Sequence, residues 1–256
     1  MTDVLVCVKR VPDASGEVVL TPDGSRVDGR YAGYTMSAHE ECAVEIGVKV
    51  AEATGGAVTV LTLGDEDSVE QLRAALSVGA AEAVRVDADA DAYGPADVAR
   101  EIAAVVTTRA GAGKDYDLVL LGNDAADTGD FQVGIRLAYA LDRPVVTGVQ
   151  RLEVSEGTAT MQVDNPEGTE IYEVALPAVA TVLEGGVSPR YPSITGKIKA
   201  KKAPLETVEP SAAPAGSGRQ ALRVPPPPPT QVEILGEGPA AAPRLVEVLT
   251  QLGAGR

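Results

Sequence analysis

A glycine-bounded loop between residues 122 and 134 holds the residue types best suited to chemistry in this chain. It reads Gly122-Asn-Asp-Ala-Ala-Asp-Thr-Gly-Asp-Phe-Gln-Val-Gly134. The glycines let the backbone approach a phosphate, and Asn123, Thr128 and Gln132 can form hydrogen bonds with a nucleotide. The loop follows an apolar strand pattern and precedes a helix pattern, which is where open α/β sheets bind ligands. The pattern is equally typical of an ordinary strand-to-helix turn.

Three acidic residues in this loop argue against tight phosphate binding. Asp124, Asp127 and Asp130 have no lysine or arginine close to them in the sequence. Their carboxylates would repel a phosphate unless they point away from it or lie at the N-terminus of the following helix. The loop also matches neither a Walker motif nor the G-x-G-x-x-G fingerprint.

Catalytic and metal-binding motifs are not evident, so the sequence does not predict an enzyme. His39 is the single histidine, and no serine or cysteine has a nucleophile-elbow context. A structural hydrogen-bonding role for His39 is therefore favoured over a role as a base. No Cys/His spacing indicates a metal site. Asp87, Asp89 and Asp91 alternate with alanine, which favours a solvated loop over a cation site because the glycine and glutamate of an EF-hand are missing.

The composition favours an intracellular protein with an aliphatic core. The 256 residues are 45% hydrophobic, with one Phe and no Trp, so Ala, Val, Leu and Ile must form the core, as in a buried parallel sheet. The net charge of −15 argues against nucleic acids and anionic membranes as main partners. Cys7 and Cys42 are expected to be buried thiols rather than a disulfide. A cytoplasmic location is expected because neither a signal-peptide layout nor a membrane-length apolar run is found.

The first 144 residues alternate between strand and helix patterns, which predicts an α/β fold with a doubly wound, mostly parallel sheet. A turn at Thr21–Gly24 predicts a hairpin between residues 17 and 28. The expected strands are Val4–Val8, Val58–Leu63, Ala83–Val86 and Leu118–Leu121, and the expected helices are a helix that starts after Ser37 and ends at Gly55-Gly56, Ser68–Val78, Pro95–Thr108 and Asp130–Leu141.

Several of these elements are expected to end at one edge of the sheet. Cys7 and Leu63 lie at the ends of two predicted strands, beside the loop that begins at Gly122. The segment Ser37–Glu40 matches a capping box, which places a helix start at the same edge. The convergence of these loops predicts a pocket.

The second half of the chain has a different pattern. Strands are expected at 145–154, 158–163, 170–176 and 179–182, which predicts a β-meander extension. Residues 1–202 are therefore interpreted as an α/β nucleotide-binding domain. Residues 203–256, rich in Pro, Ala and Gly, are interpreted as an extended C-terminal arm with a short terminal helix at 239–252. Wrapping around a partner subunit is favoured over a disordered tail, because the arm carries the apolar residues Val232, Ile234, Leu245, Val248 and Leu249.

A basic segment stands out on this acidic chain. The segment has four lysines next to an apolar tip, in the sequence Pro189-Arg-Tyr-Pro-Ser-Ile-Thr-Gly-Lys-Ile-Lys-Ala-Lys-Lys202. Like charges this close repel one another, so the segment is interpreted as a docking element. The alternative is a solvated surface strand that leads into the arm.

Taken in order, these motifs resemble the electron-transfer flavoprotein beta subunit family from Val4 to about Pro204. The blocks that carry the resemblance are Cys7–Asp13, Met36-Ser37 with Glu41, Ala43–Glu45, Ala75–Ala80, Asp117–Gly122, Leu176–Val179 and Pro189–Lys202. No block is diagnostic alone, but their order and spacing together are highly specific.

The resemblance implies a heterodimer with an alpha subunit that carries the redox FAD. It implies AMP in the beta cleft, or a second FAD in electron-bifurcating members. The implied nucleotide contacts are Cys7, Ser37, Ala38, His39, Glu40, Leu63, Gly122, Asn123, Asp127, Thr128, Gly129, Asp130, Phe131, Gln132 and Val133. The implied docking residues for a partner dehydrogenase are Pro189, Arg190, Tyr191, Ile194, Lys197 and Lys199, with Ile194 as the apolar anchor.

The chain departs from the family pattern at four positions near the cleft. Ser37 and Ala38 stand where the family usually has Asn and Pro, and Asp130 and Ile135 stand where bifurcating members have a hydroxyl residue and Pro. Gln132-Val133-Gly134 matches. AMP, a second FAD and an empty cleft therefore all stay open.

The function implied is that of an electron-carrier subunit, which shuttles electrons from dehydrogenases to an acceptor. An electron-bifurcating subunit is the alternative. A stand-alone nucleotide-binding module is a third hypothesis.

Overall fold

The computed structural model describes residues 1–13, 18–226 and 232–254. The chain divides into two compact units, residues 1–222 and 223–256. The strands of the first unit are β1 (Val4–Cys7), β2 (Val11–Pro12), β3 (Tyr34–Thr35), β4 (Val58–Gly64), β5 (Glu82–Asp87), β6 (Leu118–Gly122), β7 (Val145–Val149), β8 (Arg151–Ser155), β9 (Thr158–Asn165), β10 (Gly168–Ala175), β11 (Ala178–Val182) and β12 (Leu205–Val208). Its helices are α1 (Gly29–Ala32), α2 (Ala38–Thr54), α3 (Val69–Val78), α4 (Pro95–Gly111), α5 (Val133–Leu141) and α6 (Ile194–Lys202). The second unit contains α7 (Ala242–Gln251).

Seven strands form one parallel sheet, in the order β12-β5-β4-β1-β6-β11-β7. Strand β1 lies at its centre, with Val4 opposite Val58 of β4 on one side and opposite Leu118 of β6 on the other. The chain runs outward from β1 to β5 and then returns to β6, so its direction of winding reverses between β1 and β6. The predicted fold class is confirmed, and the carboxyl ends of β1 and β6 mark the place where such sheets bind ligands.

Alternating side chains of the sheet supply two cores. In β1, Val4 and Val6 pack with Ile46 of α2, while Leu5 and Cys7 belong to the opposite core. The first core also contains α3 and α6, and the second contains α4 and α5. Because both faces are covered, the central strands are mostly apolar, as expected of a parallel sheet.

Helix boundaries follow the local signals in the sequence. The Ser37 hydroxyl accepts the Glu40 N–H while the Glu40 carboxylate accepts the Ser37 N–H, so the predicted capping box is confirmed. Gly55 ends α2 in the left-handed conformation, with φ of 77°. Gly79 ends α3 and Pro95 begins α4, as the sequence predicts.

The meander is a separate three-stranded antiparallel sheet, in the order β10-β9-β8. The prediction of one strand over 145–154 was wrong. Gly148 has φ of 74°, and the strand is interrupted at Gln150, which separates β7 from β8. Strand β7 therefore joins the parallel sheet, whereas β8 joins the meander. The hairpin around Thr21–Gly24 closes with a Leu20–Val27 bridge, although Glu17 lies outside the described residues.

The basic segment is helical where the alternative interpretation expected a strand. Ser193 caps α6 by accepting the Gly196 N–H at 2.9 Å. Ala200 is buried against the first core. A Cβ at Gly196 would overlap the Ser77 carbonyl oxygen at the end of α3, so only glycine permits this close approach.

The residues that follow α6 remain part of the first unit. Strand β12 pairs with β5 at the sheet edge, with Leu205 opposite Ala83. Residues 211–222, here called the strap, then run along the N-terminal end of α4. The predicted boundary between residues 202 and 203 stays a prediction, and the compact unit extends to Leu222.

Cys7 and Cys42 are buried free thiols, as the sequence predicts. None of the helices in the described part of the chain is both long and apolar enough to cross a membrane.

Candidate nucleotide cleft and docking helix

A cleft opens at the carboxyl edge of the parallel sheet, beside β1, β4 and β6. Many of the residues predicted from the sequence line it: Cys7, Glu40, Leu63, Gly122, Asn123, Asp127, Thr128, Asp130 and Val133. The sheet topology brings these residues together, because parallel strands present their carboxyl ends at one edge.

The other predicted nucleotide contacts lie around the cleft rather than in its lining: Ser37, Ala38, His39, Gly129, Phe131 and Gln132. Ser37 caps α2, and Phe131 is exposed. His39 Nδ1 lies 2.8 Å from Asp124 Oδ1, and its Nε2 contacts Glu184. The contact between His39 and Asp124 joins the start of α2 to the loop 123–132.

Sequence reasoning missed one side of the cleft. Lys9, Asp91, Tyr93 and Arg219 contribute to its lining. The position of β5 next to β4 could have indicated the contribution of Asp91 and Tyr93, because the loop after β5 reaches the same edge. Nothing in the sequence indicates that Arg219, which lies 97 residues after Gly122, returns to this edge.

Asn123 fastens the loop to the neighbouring strand. Its Oδ1 accepts a hydrogen bond from Thr181 Oγ1 at 2.7 Å and from the Gly148 N–H at 3.0 Å. Gly134, at the start of α5, lies against the same Thr181, so that an added Cβ would overlap the threonine methyl group. The loop geometry therefore depends on Gly134, Thr181 and Asn123 together.

The N-terminus of α5 is open to an anion. Gln132 occupies the N-cap position without capping the helix, and its Oε1 instead accepts hydrogen bonds from Arg136 Nε at 3.1 Å and Nη2 at 2.9 Å. The first N–H groups of a helix have no intrahelical partner and attract anions. Nearby, Thr128 Oγ1 is buried without a hydrogen-bond partner within the described residues. Both features fit a phosphate group.

Two of the three loop aspartates have partners from distant parts of the chain. Lys9 Nζ lies 2.7 Å from both oxygens of Asp127, and His39 contacts Asp124. The fold therefore gives Asp127 a basic partner that its sequence neighbours do not provide. The fold brings Lys9 from the end of β1, 118 residues earlier in the sequence.

Burial raises the pKa of Glu40 to about 7. Its Oε1 accepts the Lys9 N–H at 2.8 Å, and its Oε2 accepts the Ser37 N–H and hydroxyl, both at 3.0 Å. These hydrogen bonds lower the pKa, but the loss of hydration outweighs them. Glu40 is thus partly neutral at neutral pH, which reduces the negative charge of the cleft.

We expect Glu40 to make folding stability depend on pH. Since its pKa is raised by folding, its contribution is fully present below the unfolded value of 4.5 and is lost as the pH rises through about 7. Such a shift corresponds to roughly 3 kcal/mol. The difference in unfolding free energy between the wild type and Glu40→Gln, measured by urea denaturation, should fall between about pH 4.5 and pH 7. A difference that does not change with pH would contradict this expectation.

The basic segment, residues 189–202, carries an exposed apolar tip and is anchored at its start to α2. Tyr191 and Ile194 are 97% and 81% exposed. Arg190 secures the base, since its Nε lies 2.8 Å from Glu45 Oε2 and its Nη1 lies 2.7 Å from Glu52 Oε1, both on α2. The Arg190 side chain is thus bound to α2 of this chain, whereas Tyr191 and Ile194 point into solvent.

The lysines of α6 are free to meet a partner. Lys197, Lys199, Lys201 and Lys202 form no ion pair with any acidic side chain in the described ranges. The C-terminal carbonyl groups of α6 are held by Arg73, whose Nη1 donates to the carbonyl oxygens of Ala200 and Ala203. A rigid helix with an apolar tip and a positive flank is suited to a small interface with an acidic rim.

Comparisons with known proteins agree with this architecture. The family model of the electron transfer flavoprotein domain matches residues 27–213. The chain is 33% identical over 207 residues to the electron transfer flavoprotein subunit beta of Bacillus subtilis, covering 81% of this chain and 79% of the relative. It is 32% identical to the subunit beta of Syntrophomonas wolfei, covering 95% and 94%. It is also 32% identical to the caffeyl-CoA reductase-Etf complex subunit CarD of Acetobacterium woodii, covering 79% and 76%. The chain therefore belongs to the electron transfer flavoprotein family, among its beta subunits.

Proposed function

We propose that this chain pairs with an electron transfer flavoprotein alpha subunit and that the heterodimer shuttles electrons from dehydrogenases to an acceptor. The redox FAD, which accepts and donates electrons, belongs in this proposal to the alpha subunit. The observation that carries the proposal is the docking helix, in which Ile194 projects from a base held by Arg190 and Arg73. An exposed aliphatic residue on a rigid support is suited to be the single hot spot of a transient interface.

Strand β10 supports the pairing with another subunit. It lies at the edge of the meander, paired only with β9 among the described strands. Ile171 is 59% exposed and Tyr172 is 40% exposed on this strand. An open edge strand of eight residues that exposes apolar side chains readily pairs with another chain, and β10 is therefore proposed to face the alpha subunit. The part of the arm beyond Leu222, which forms a unit of its own, is proposed to wrap the alpha subunit as well.

The cleft is proposed to bind AMP as a structural nucleotide. The open start of α5 and the buried Thr128 hydroxyl suit its phosphate, while Lys9 offsets one of the loop aspartates. The apolar side chains of Leu61, Leu63 and Val98 suit an adenine ring. AMP would then fix the loop geometry without taking part in electron transfer.

A second FAD in the cleft, and with it electron bifurcation, is the alternative. The sequence Gln132-Val133-Gly134, which resembles that of bifurcating members, lies at the N-terminus of α5 and favours it. The adenylate half of FAD could use the features that suit AMP. Asp130 in the cleft lining counts against it, since it would lie near additional phosphate charge.

Size-exclusion chromatography tests the pairing. We expect the chain expressed with a candidate alpha subunit to elute as a 1:1 heterodimer that contains flavin. Elution of the two chains as separate species would argue for a stand-alone nucleotide-binding module instead.

A further inference from the structure

The strap, residues 211–222, is fixed across the N-terminal end of α4. The buried carboxylate of Asp97 accepts the Ala215 N–H at 3.0 Å and the Gly216 N–H at 2.9 Å. Glu101, one turn later, accepts the Ser211 N–H at 2.6 Å. Buried carboxylates that receive several backbone N–H groups stay charged and bind them strongly, so the strap is a defined part of the fold.

Hydrogen bonds of Asp97 also join the strap to the cleft wall. The Gly94 N–H donates to the same carboxylate at 3.1 Å, and Gly94 packs directly against Gly216. At its far end, the Leu222 N–H donates to the Gly24 carbonyl group at 2.8 Å. Arg219 lies between these two attachments and contributes to the lining of the cleft.

Lys9 and Arg219 are the basic side chains that line the cleft within the described residues, and of these Arg219 is the one without an acidic partner. Asp91, Asp124 and Asp127 contact Arg26, His39 and Lys9 respectively. Lys9 is therefore already occupied by Asp127. Arg219 has no acidic partner within 4 Å in the described part of the chain.

We propose that Arg219 binds the phosphate of the nucleotide in the beta cleft. This inference rests on the nucleotide site proposed above and adds the residue that supplies its positive charge. The cleft has features that fit an anion, at the start of α5 and at Thr128, but its lining contains several aspartates. A guanidinium group can offset that charge and form two hydrogen bonds to a phosphate. The family model ends at residue 213, so Arg219 lies beyond the part of the chain that it matches.

The test measures the binding of AMP and of adenosine to the heterodimer after removal of its cleft nucleotide. Isothermal titration calorimetry on Arg219→Gln should show about 10- to 100-fold weaker AMP binding, as expected for a lost hydrogen-bonded ion pair. Adenosine, which lacks the phosphate, should bind the variant as it binds the wild type. Raising the salt concentration should weaken AMP binding less in the variant than in the wild type.

Two further variants are included as controls. Arg219→Lys keeps the charge and should recover part of the AMP affinity. Arg151→Gln removes an exposed arginine from the meander, so its AMP affinity should be unchanged. Unchanged AMP affinity in Arg219→Gln, or an equal loss for AMP and adenosine, would overturn the inference. A wild-type complex that binds neither compound would overturn the proposed nucleotide site itself, and this inference with it.

Discussion

Replacing Ile194 with aspartate should slow electron transfer from the partner dehydrogenase by about 30-fold or more, the effect expected of a lost interface hot spot. Ile194 is 81% exposed, so the substitution leaves the core intact and should change neither the melting temperature nor the flavin content. The loss arises because aspartate would bring an unpaired charge into an apolar pocket of the partner. Stopped-flow measurement of flavin reduction by the dehydrogenase provides the rate.

A matched control lies on the opposite face of the sheet. Tyr139 of α5 is 84% exposed, and Tyr139→Asp also adds one negative charge. It should transfer electrons at the wild-type rate. Equal rates for wild type and Ile194→Asp would contradict the docking role, and equal slowing in both variants would indicate a general charge effect instead.

Replacing Gly134 with alanine should disrupt the nucleotide cleft from within. The new Cβ would overlap the methyl group of Thr181, which is buried and donates to Asn123. Overpacking of this kind costs roughly 1–3 kcal/mol. Because Asn123 must move with Thr181, we expect nucleotide content to fall along with thermal stability.

Gly111→Ala serves as the control for this substitution. It lies at the end of α4, where an added Cβ meets no atom within 4 Å. Alanine is a better helix former than glycine by about 1 kcal/mol, so this variant should be as stable as the wild type or more so. Full nucleotide content in Gly134→Ala, measured by chromatography of the denatured complex, would show that the Gly134–Thr181 contact does not set the cleft geometry.

Features that depend on neighbouring residues were predictable from the sequence. The Ser37–Glu40 capping box and the glycine that ends α2 involve residues within one helical turn, so their physics is local. The parallel sheet followed from the alternation of strand and helix patterns. Its switch point between β1 and β6 then placed the predicted loop 122–134 at the cleft.

Features that depend on distant residues were not predictable. The Lys9–Asp127 ion pair joins residues 118 positions apart, and no local pattern relates them. Strand β12 is only four residues long and gains its stability from β5. The strap is itself rich in Ala and Gly and has no apolar periodicity, and its position depends on Asp97 and Glu101 of α4.

The helical form of the docking segment falls between these two cases. Ser193 is a local N-cap signal, but residues 194–202 lack an apolar stripe that would indicate a helix. The helix is stabilised by its tertiary contacts, with Ala200 buried against the first core and Arg73 holding the last carbonyl groups. Tertiary contacts commonly override weak local preference in this way.

The nucleotide content of the purified heterodimer tests the central claim most directly. The complex would be denatured, and the released FAD and AMP would be separated and quantified by chromatography. The account predicts one FAD and one AMP per heterodimer. Two FAD per heterodimer would replace the simple electron shuttle with the bifurcating alternative, and one FAD with no second nucleotide would contradict the assignment of the beta cleft.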